Sequence, residues 1–177
     1  MNHTKMTIKG DKFYINGELT YSEIDGCPYR GLLMNARFIQ GIYDDKTGRE
    51  RYIRFGKSFD PDQNTDELIE SLPEWYQAGL RAFTVGLQGG GPCFTIPLDS
   101  IDNNPYGSDG KNLDQAYLSR LARLIDAADR QGMVVIVSLF YGVQSMYLTD
   151  DDAVEQAVTN ICRWLKDRDD KNVIIEA

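Results

Sequence analysis

Histidine is almost absent: His3, in a polar N-terminal stretch, is the only one among 177 residues. A His-centred triad, or a zinc site with several imidazoles, is therefore excluded within this chain. Cysteine is sparse as well, and Cys27, Cys93 and Cys162 show no CxxC spacing. So few thiols, odd in number and widely spread, argue against a disulfide framework and for buried or half-buried thiols. Basic clusters are missing too. Lys and Arg number 19 against 27 Asp and Glu, a net charge of −8, so the basic stripe that a nucleic-acid backbone requires is not there. No run approaches the roughly 20 apolar residues of a membrane span. The opening MNHTKMTIKGDK lacks the apolar centre of a signal peptide. These absences lead us to expect no nucleic acid, no membrane and no cofactor, with a cytoplasmic location unless the true N-terminus lies upstream.

What the chain does have is a strand–helix–strand pattern near its end. Gly132 is followed by MVVIVSLFY, then by a helical stretch with a polar start at 149–152, then by Asn172-VIIEA. Both apolar runs read as strands of a parallel sheet covered on both faces. Hydrophobic residues make up 42% and charged residues 26%, as in an ordinary globular domain. The length suffices for one domain with a core but falls short of the roughly 250 residues of a (β/α)8 barrel.

Upstream, Asn16-Gly17 lies between two short β-rich runs in residues 13–21, the strongest short hairpin signal. We expect it to form a small lid across one end of the domain. Residues 32–43 read as a strand whose Asn35, Arg37 and Gln40 must meet a polar interior or a site. A turn at 44–48 follows. Asn64, with Glu67 three residues on, resembles a capped helix start. Leu68, Leu72, Trp75 or Tyr76, and Leu80 then recur at helical spacing, with Pro73 expected to kink or split the helix and Gly79 to cap it. Residues 82–87 form the next strand, which runs into a Gly-, Asn- and Pro-rich loop reaching about residue 112. The clearest helix covers 114–131, with Tyr117, Leu121, Leu124, Ile125 and Ala128 on its apolar stripe and Arg120 elsewhere. A last helix over 151–167 aligns Val154, Ala157, Val158, Ile161 and Leu165. Trp75 and Trp164 fall on helical faces as core.

In parallel α/β architectures, ligands meet the carboxyl ends of the strands. That rule selects 40–45, 88–92 and 140–144, and within them Gln40, Asp44, Asp45, Gln88 and Tyr141 as substrate-binding residues. Carboxylates and amides bind hydroxyls, and an aromatic face covers the apolar side of a sugar ring. Each has a plainer reading. Turn chemistry alone explains Asp44 and Asp45, Gln88 could open a simple flexible loop, and Tyr141 could pack at the rim. Gln88-Gly-Gly-Gly lacks the Lys-Ser/Thr of a P-loop. Glu176 is expected by alternation to lie within the last strand.

The ordered segments NARFIQGIYDD (35–45), FDPDQNTDE (59–67), AFTVGLQGG (82–90), GMVVIVS (132–138) and NVIIE (172–176) resemble cellulase-like (β/α)8-barrel glycoside hydrolases. The similarity covers most of the chain from about residue 13. It implies an α/β fold, the N-terminal half of a (β/α)8 barrel. Residues 1–31 would be a tail and β-hairpin, and 32–177 four parallel strands with three helices. It also implies a retaining glycosidase acting on an oligo- or polysaccharide, with a missing C-terminal half of the barrel as structural partner. Members carry an acid/base Glu in a pattern like NVIIE-x-x-Asn-Glu and a nucleophile Glu at the seventh strand. Neither can be placed in this sequence, so no catalytic residue is assigned and the fragment alone is expected to be inactive. Gln88 stands where an Arg is usual, and Phe140-Tyr141 where a His is usual. The alternatives are a complete flavodoxin-like binding module and a barrel that binds polysaccharide without catalysis.

Overall fold

The N-terminal elements follow directly from turn chemistry. In a computed structural model that describes residues 3–89 and 101–177, β1 (Met6–Lys9), β2 (Lys12–Ile15) and β3 (Glu18–Leu19) form an antiparallel meander. Ile15 pairs with Glu18 across a two-residue turn. Its Asn16 and Gly17 have φ of 54° and 85°, the left-handed pair that a type I′ hairpin demands. The meander docks onto the helix C-terminal end of the molecule. The Thr4 N–H donates to Asp129 at 2.7 Å, the Tyr21 hydroxyl to the Gly79 carbonyl at 2.9 Å, and the Met6 N–H to the Lys171 carbonyl at 3.0 Å. It is indeed a lid, and it closes the end where the parallel strands begin.

The strand expected over 32–43 is far shorter. β4 comprises only Asn35–Arg37, because the chain turns at Gly41, whose N–H donates to the Phe38 carbonyl at 2.8 Å. A Cβ on Gly41 would lie 2.5 Å from the Leu68 side chain. The turn drives Ile42 fully into the core and leads, through a 3-10 helix at Arg49–Phe55, to α1 (Pro61–Gln77). That helix starts earlier than Asn64. Asp60 accepts from the N–H groups of Asp62 and Gln63, both at 2.9 Å, and Pro61 occupies the first turn, where its missing N–H costs nothing. Pro73 does not split the helix, which runs through all 17 residues. Gly79 (φ 101°) ends it, donating to the Tyr76 carbonyl while Leu80 donates to that of Trp75, the two bonds of a Schellman motif.

Two further strand–helix steps and a last strand complete the fold. β5 (Ala82–Gly86) precedes α2 (Gln115–Gln131), which is capped by Asp114 and ended by left-handed Gly132. β6 (Val134–Ser138) is followed by a one-turn helix, α3 (Gly142–Ser145), which the periodicity did not signal, and by α4 (Asp151–Arg168). β7 (Val173–Glu176) is last. The four strands β4–β7 are all parallel and lie side by side in chain order.

Register sorts the side chains onto two unequal faces. Phe83 aligns with Val135 and Val137 follows Val135 by two, placing them on one face. These residues are fully buried in a single cluster with Leu72 of α1, Leu121 and Leu124 of α2, and Ile161 of α4. The other face carries Arg37, Thr84, Ile136 and Ile174, mutually in register, and then Ser138 and Glu176. None of these belongs to the apolar cluster, and Ile136, Ile174 and Ser138 are only half-buried. The expectation of a sheet covered on both faces is therefore corrected. α1, α2 and α4 all pack on one face, and among the described residues no helix covers the other. Arg120 also differs from its expected placement: it is 1% exposed, its Nε donating to the Ile42 carbonyl at 3.0 Å and its guanidinium 4.8 Å from the Tyr117 ring.

Leu121 is fully buried in that cluster. Leu121→Ala is expected to cost about 3 kcal/mol, measured by urea unfolding. The outer edges of β4 and β7 lack a strand partner among the described residues, which leaves backbone donors and acceptors free to pair with another chain. Light scattering should therefore show self-association that grows with concentration. Monodisperse monomer at high concentration would contradict it.

Candidate functional site

The carboxyl ends of β4, β5 and β6 enclose a cavity of about 60 Å³ whose wall includes Arg37, Gln88, Ser138 and Tyr141. Its shape depends on glycine. A Cβ on Gly86 would sit 3.1 Å from the Ile39 carbonyl oxygen, and one on Gly89 (φ 55°) 2.5 Å from the Tyr43 ring. Gln88 is fully buried. Its Oε1 accepts from the Tyr141 N–H at 2.6 Å, and its Nε2 has no hydrogen-bond partner among the described residues. Since only the oxygen can accept from an N–H, this bond fixes which way the amide points. A buried donor left without a partner is costly unless something arrives to receive it. Arg37 and Glu176 approach to 3.7 Å across the same face, too far apart for a hydrogen bond.

Asp44 and Asp45 sit elsewhere. Both are buried, Asp45 completely, in a network that pins the loop after β4 onto α2. The Asp45 carboxylate accepts from the Thr47 N–H and hydroxyl at 3.3 and 3.2 Å and from the Asn103 Nδ2 at 3.3 Å. Arg51 lies 3.4 Å from its second oxygen. Asp44 accepts from the Arg49 guanidinium at 2.8 Å. The Tyr117 hydroxyl accepts from the Asp44 N–H at 3.0 Å and donates to the Asn103 carbonyl at 2.8 Å. Burial raises the phenol pKa of Tyr43 and of Tyr117 well above the ordinary range; the neighbouring carboxylates of Asp45 and Asp44, respectively, push in the same direction. Partial burial works against the Asp114 carboxylate. The Lys46 ammonium and the N–H groups of Tyr117 and Ala116 outweigh it and hold that pKa below the usual range.

Gln40 belongs to a third place, a cleft of about 500 Å³ between the loop after β4 and the start of α1. Tyr52 and Phe59 line it, stacked with centroids 4.5 Å apart and planes 21° from parallel. The Tyr52 phenol pKa is raised to about 12 by burial and then by Asp45. Of the five residues chosen from sequence, Gln88 and Tyr141 are thus brought together and directly bonded. Gln40 faces a different cavity, and the two aspartates line neither. The rest of the Gly-rich run, Gly90 to Pro92, lies outside the described residues, as does Cys93. Ser138 was missed as a site residue, and Arg37, expected to meet a polar interior or a site, was not chosen as substrate-binding; only strand register in the assembled sheet brings them to one face with Glu176. Tyr52 and Phe59 carried no periodic signal.

Among the described residues, no group of three or more His, Cys, Asp or Glu is placed to hold a metal ion, and no helix is long and apolar enough to cross a membrane. No protein-family model matches the chain, and no curated protein matches it with significance.

Asp45→Ala would remove the acceptor shared by Thr47 and Asn103 and the charge beside Arg51, all in a buried setting. We expect a loss of about 1–3 kcal/mol in chemical unfolding. Asp114 has a depressed pKa in the folded state. The stability it adds is therefore present above the unfolded carboxylate value of about 3.9 and is lost as pH falls through the folded value. The difference between the parent chain and Asp114→Asn should shrink below about pH 4 in thermal melts across acidic pH.

Proposed function

We propose that this chain forms the first half of a (β/α)8-barrel glycoside hydrolase and binds carbohydrate at the carboxyl ends of β4, β5 and β6. The observation that carries the barrel reading is the unequal sheet. Strands in simple chain order, with α1, α2 and α4 on one face, are what a barrel wall requires, its bare face turned toward the axis. A flavodoxin-like module would need a reversal of strand order and helices on both faces. The order β4-β5-β6-β7 disfavours it.

The sugar reading rests on the sequence resemblance, since a barrel by itself hosts many chemistries. It is supported by the composition of the crevice: an amide donor at Gln88, a hydroxyl at Ser138 and an aromatic at Tyr141 on the rim. These residues bind and orient; none is a pair of carboxyls about 5–5.5 Å apart, the arrangement retention needs. By this reading, acid/base and nucleophile come from later strands, and the 177 residues hold substrate without cleaving it. A non-catalytic barrel would share this geometry and differ only in the later strands.

The test is NMR titration of labelled chain with a panel of neutral and acidic oligosaccharides, alongside an aryl-glycoside assay. We expect the Gln88 side-chain amide and the Tyr141 backbone amide to shift in parallel for at least one sugar, with no turnover. Shifts confined to other surfaces would contradict the site, and robust turnover would contradict the division of labour.

A further inference from the structure

Resting on that carbohydrate reading, we propose that the crevice at the strand ends selects a sugar bearing a carboxylate, a uronic acid residue, rather than a neutral one. Every committed polar side chain in its wall offers a donor. Gln88 is 0% exposed, its oxygen is already engaged by the Tyr141 N–H at 2.6 Å, and its Nε2 is left without a partner among the described residues. The orientation of that amide is fixed, so the group it presents to a guest can only donate. Arg37 reaches the same wall from β4. It forms an exposed ion pair with Glu176 at 3.7 Å, longer than a hydrogen bond, so a ligand carboxylate that makes two direct bonds to its planar fork would displace that looser pair. Ser138 adds a hydroxyl that can turn to donate. Among the described residues no carboxylate side chain lines the cavity.

A volume of about 60 Å³ is too small for a sugar ring yet holds a planar carboxylate projecting from one. The ring itself would then lie outward, toward Tyr141. A carboxylate meets the Gln88 donor and the Arg37 fork with two oxygens and a full negative charge, whereas a neutral hydroxymethyl group offers one uncharged oxygen, which cannot make the bidentate, charge-assisted pair with Arg37. Recognition of a group by buried polar partners discriminates strongly against an analogue that cannot make the same bonds. The two glycines maintain the room: a Cβ at Gly86 meets the Ile39 oxygen at 3.1 Å, and one at Gly89 meets Tyr43 at 2.5 Å.

The test is calorimetric titration of the whole chain with methyl glucuronide, methyl glucoside and glycolate, repeated with Arg37→Gln and Gln88→Leu. Circular dichroism shows whether each variant is folded. We expect methyl glucuronide to bind at least about tenfold tighter than methyl glucoside, with that preference abolished in Arg37→Gln and reduced in Gln88→Leu. Arg37 is exposed, so its variant should fold even if Gln88→Leu does not. Equal affinity for the two glycosides overturns the carboxylate preference while leaving carbohydrate binding intact. A preference that survives Arg37→Gln overturns the site assignment. Glycolate binding as tightly as methyl glucuronide, through Arg37, upholds the carboxylate pocket and removes the sugar from it. Binding of none of the three overturns the inference.

Discussion

One asymmetry governs the molecule: α1, α2 and α4 pack on one face of the four-stranded parallel sheet, and among the described residues no helix covers the other. On the buried side, Phe83, Val85, Val135 and Val137 meet α1, α2 and α4 with no exposure at all, and burial of that apolar surface is the main favourable term in folding. On the other side, Ala82, Thr84 and Val134 near the strand starts are buried, whereas Ile136, Ile174 and Ser138 are half-buried and Arg37 and Glu176 exposed. Everything proposed about function follows from that division. A sheet whose second face were packed by helices would have no room for an inner site. A face left free of helices toward its strand ends can present polar groups to a ligand.

The polar features divide by what they accomplish. The buried network of Asp44, Asp45, Asn103 and Tyr117 ties the loop after β4 to α2, one Asp45 oxygen accepting from Thr47 and Asn103 and the other lying 3.4 Å from Arg51. Arg120 supports the same loop from below through the Ile42 carbonyl. The crevice differs in where its unmet group lies: the Gln88 oxygen holds the β6 exit in place, and its nitrogen has no partner among the described residues and lines a cavity. The unmet atoms of Asp45 and Arg120 are packed inside the loop network, and neither residue lines the crevice or the cleft beside Gln40. An unmet buried donor beside a cavity can be met by a ligand, and that position separates the residues that shape the site from those that would touch a guest.

Much of the architecture was legible in the chain. Helical spacing at Tyr117, Leu121, Leu124 and Ile125 found α2, and Asn16-Gly17 found its hairpin, because each signal is local and repeats within a turn or two. The β4 region was misjudged in length because its end is set by Gly41 meeting Leu68, a tertiary contact invisible to periodicity. Asp60-Pro61 outcompeted Asn64 as a helix start because a cap followed by proline is the stronger arrangement. Reading the two last strands as covered on both faces failed for a related reason. An apolar run reports that burial occurs, not which element supplies it. At the site, Gln88 and Tyr141 were found through the strand-end rule. Arg37 needed the register between strands, which only the assembled sheet provides, and Asp44 and Asp45 had chemistry suited equally to binding and to holding a loop.

The division between the two faces can be read directly with a soluble paramagnetic relaxation agent and methyl-labelled protein. The account predicts strong broadening of the Ile136 and Ile174 methyl signals and almost none for Val135 and Val137, which flank Ile136 on the same strand. Equal protection of all four would mean that both faces are packed, and would contradict the open inner wall on which the site depends.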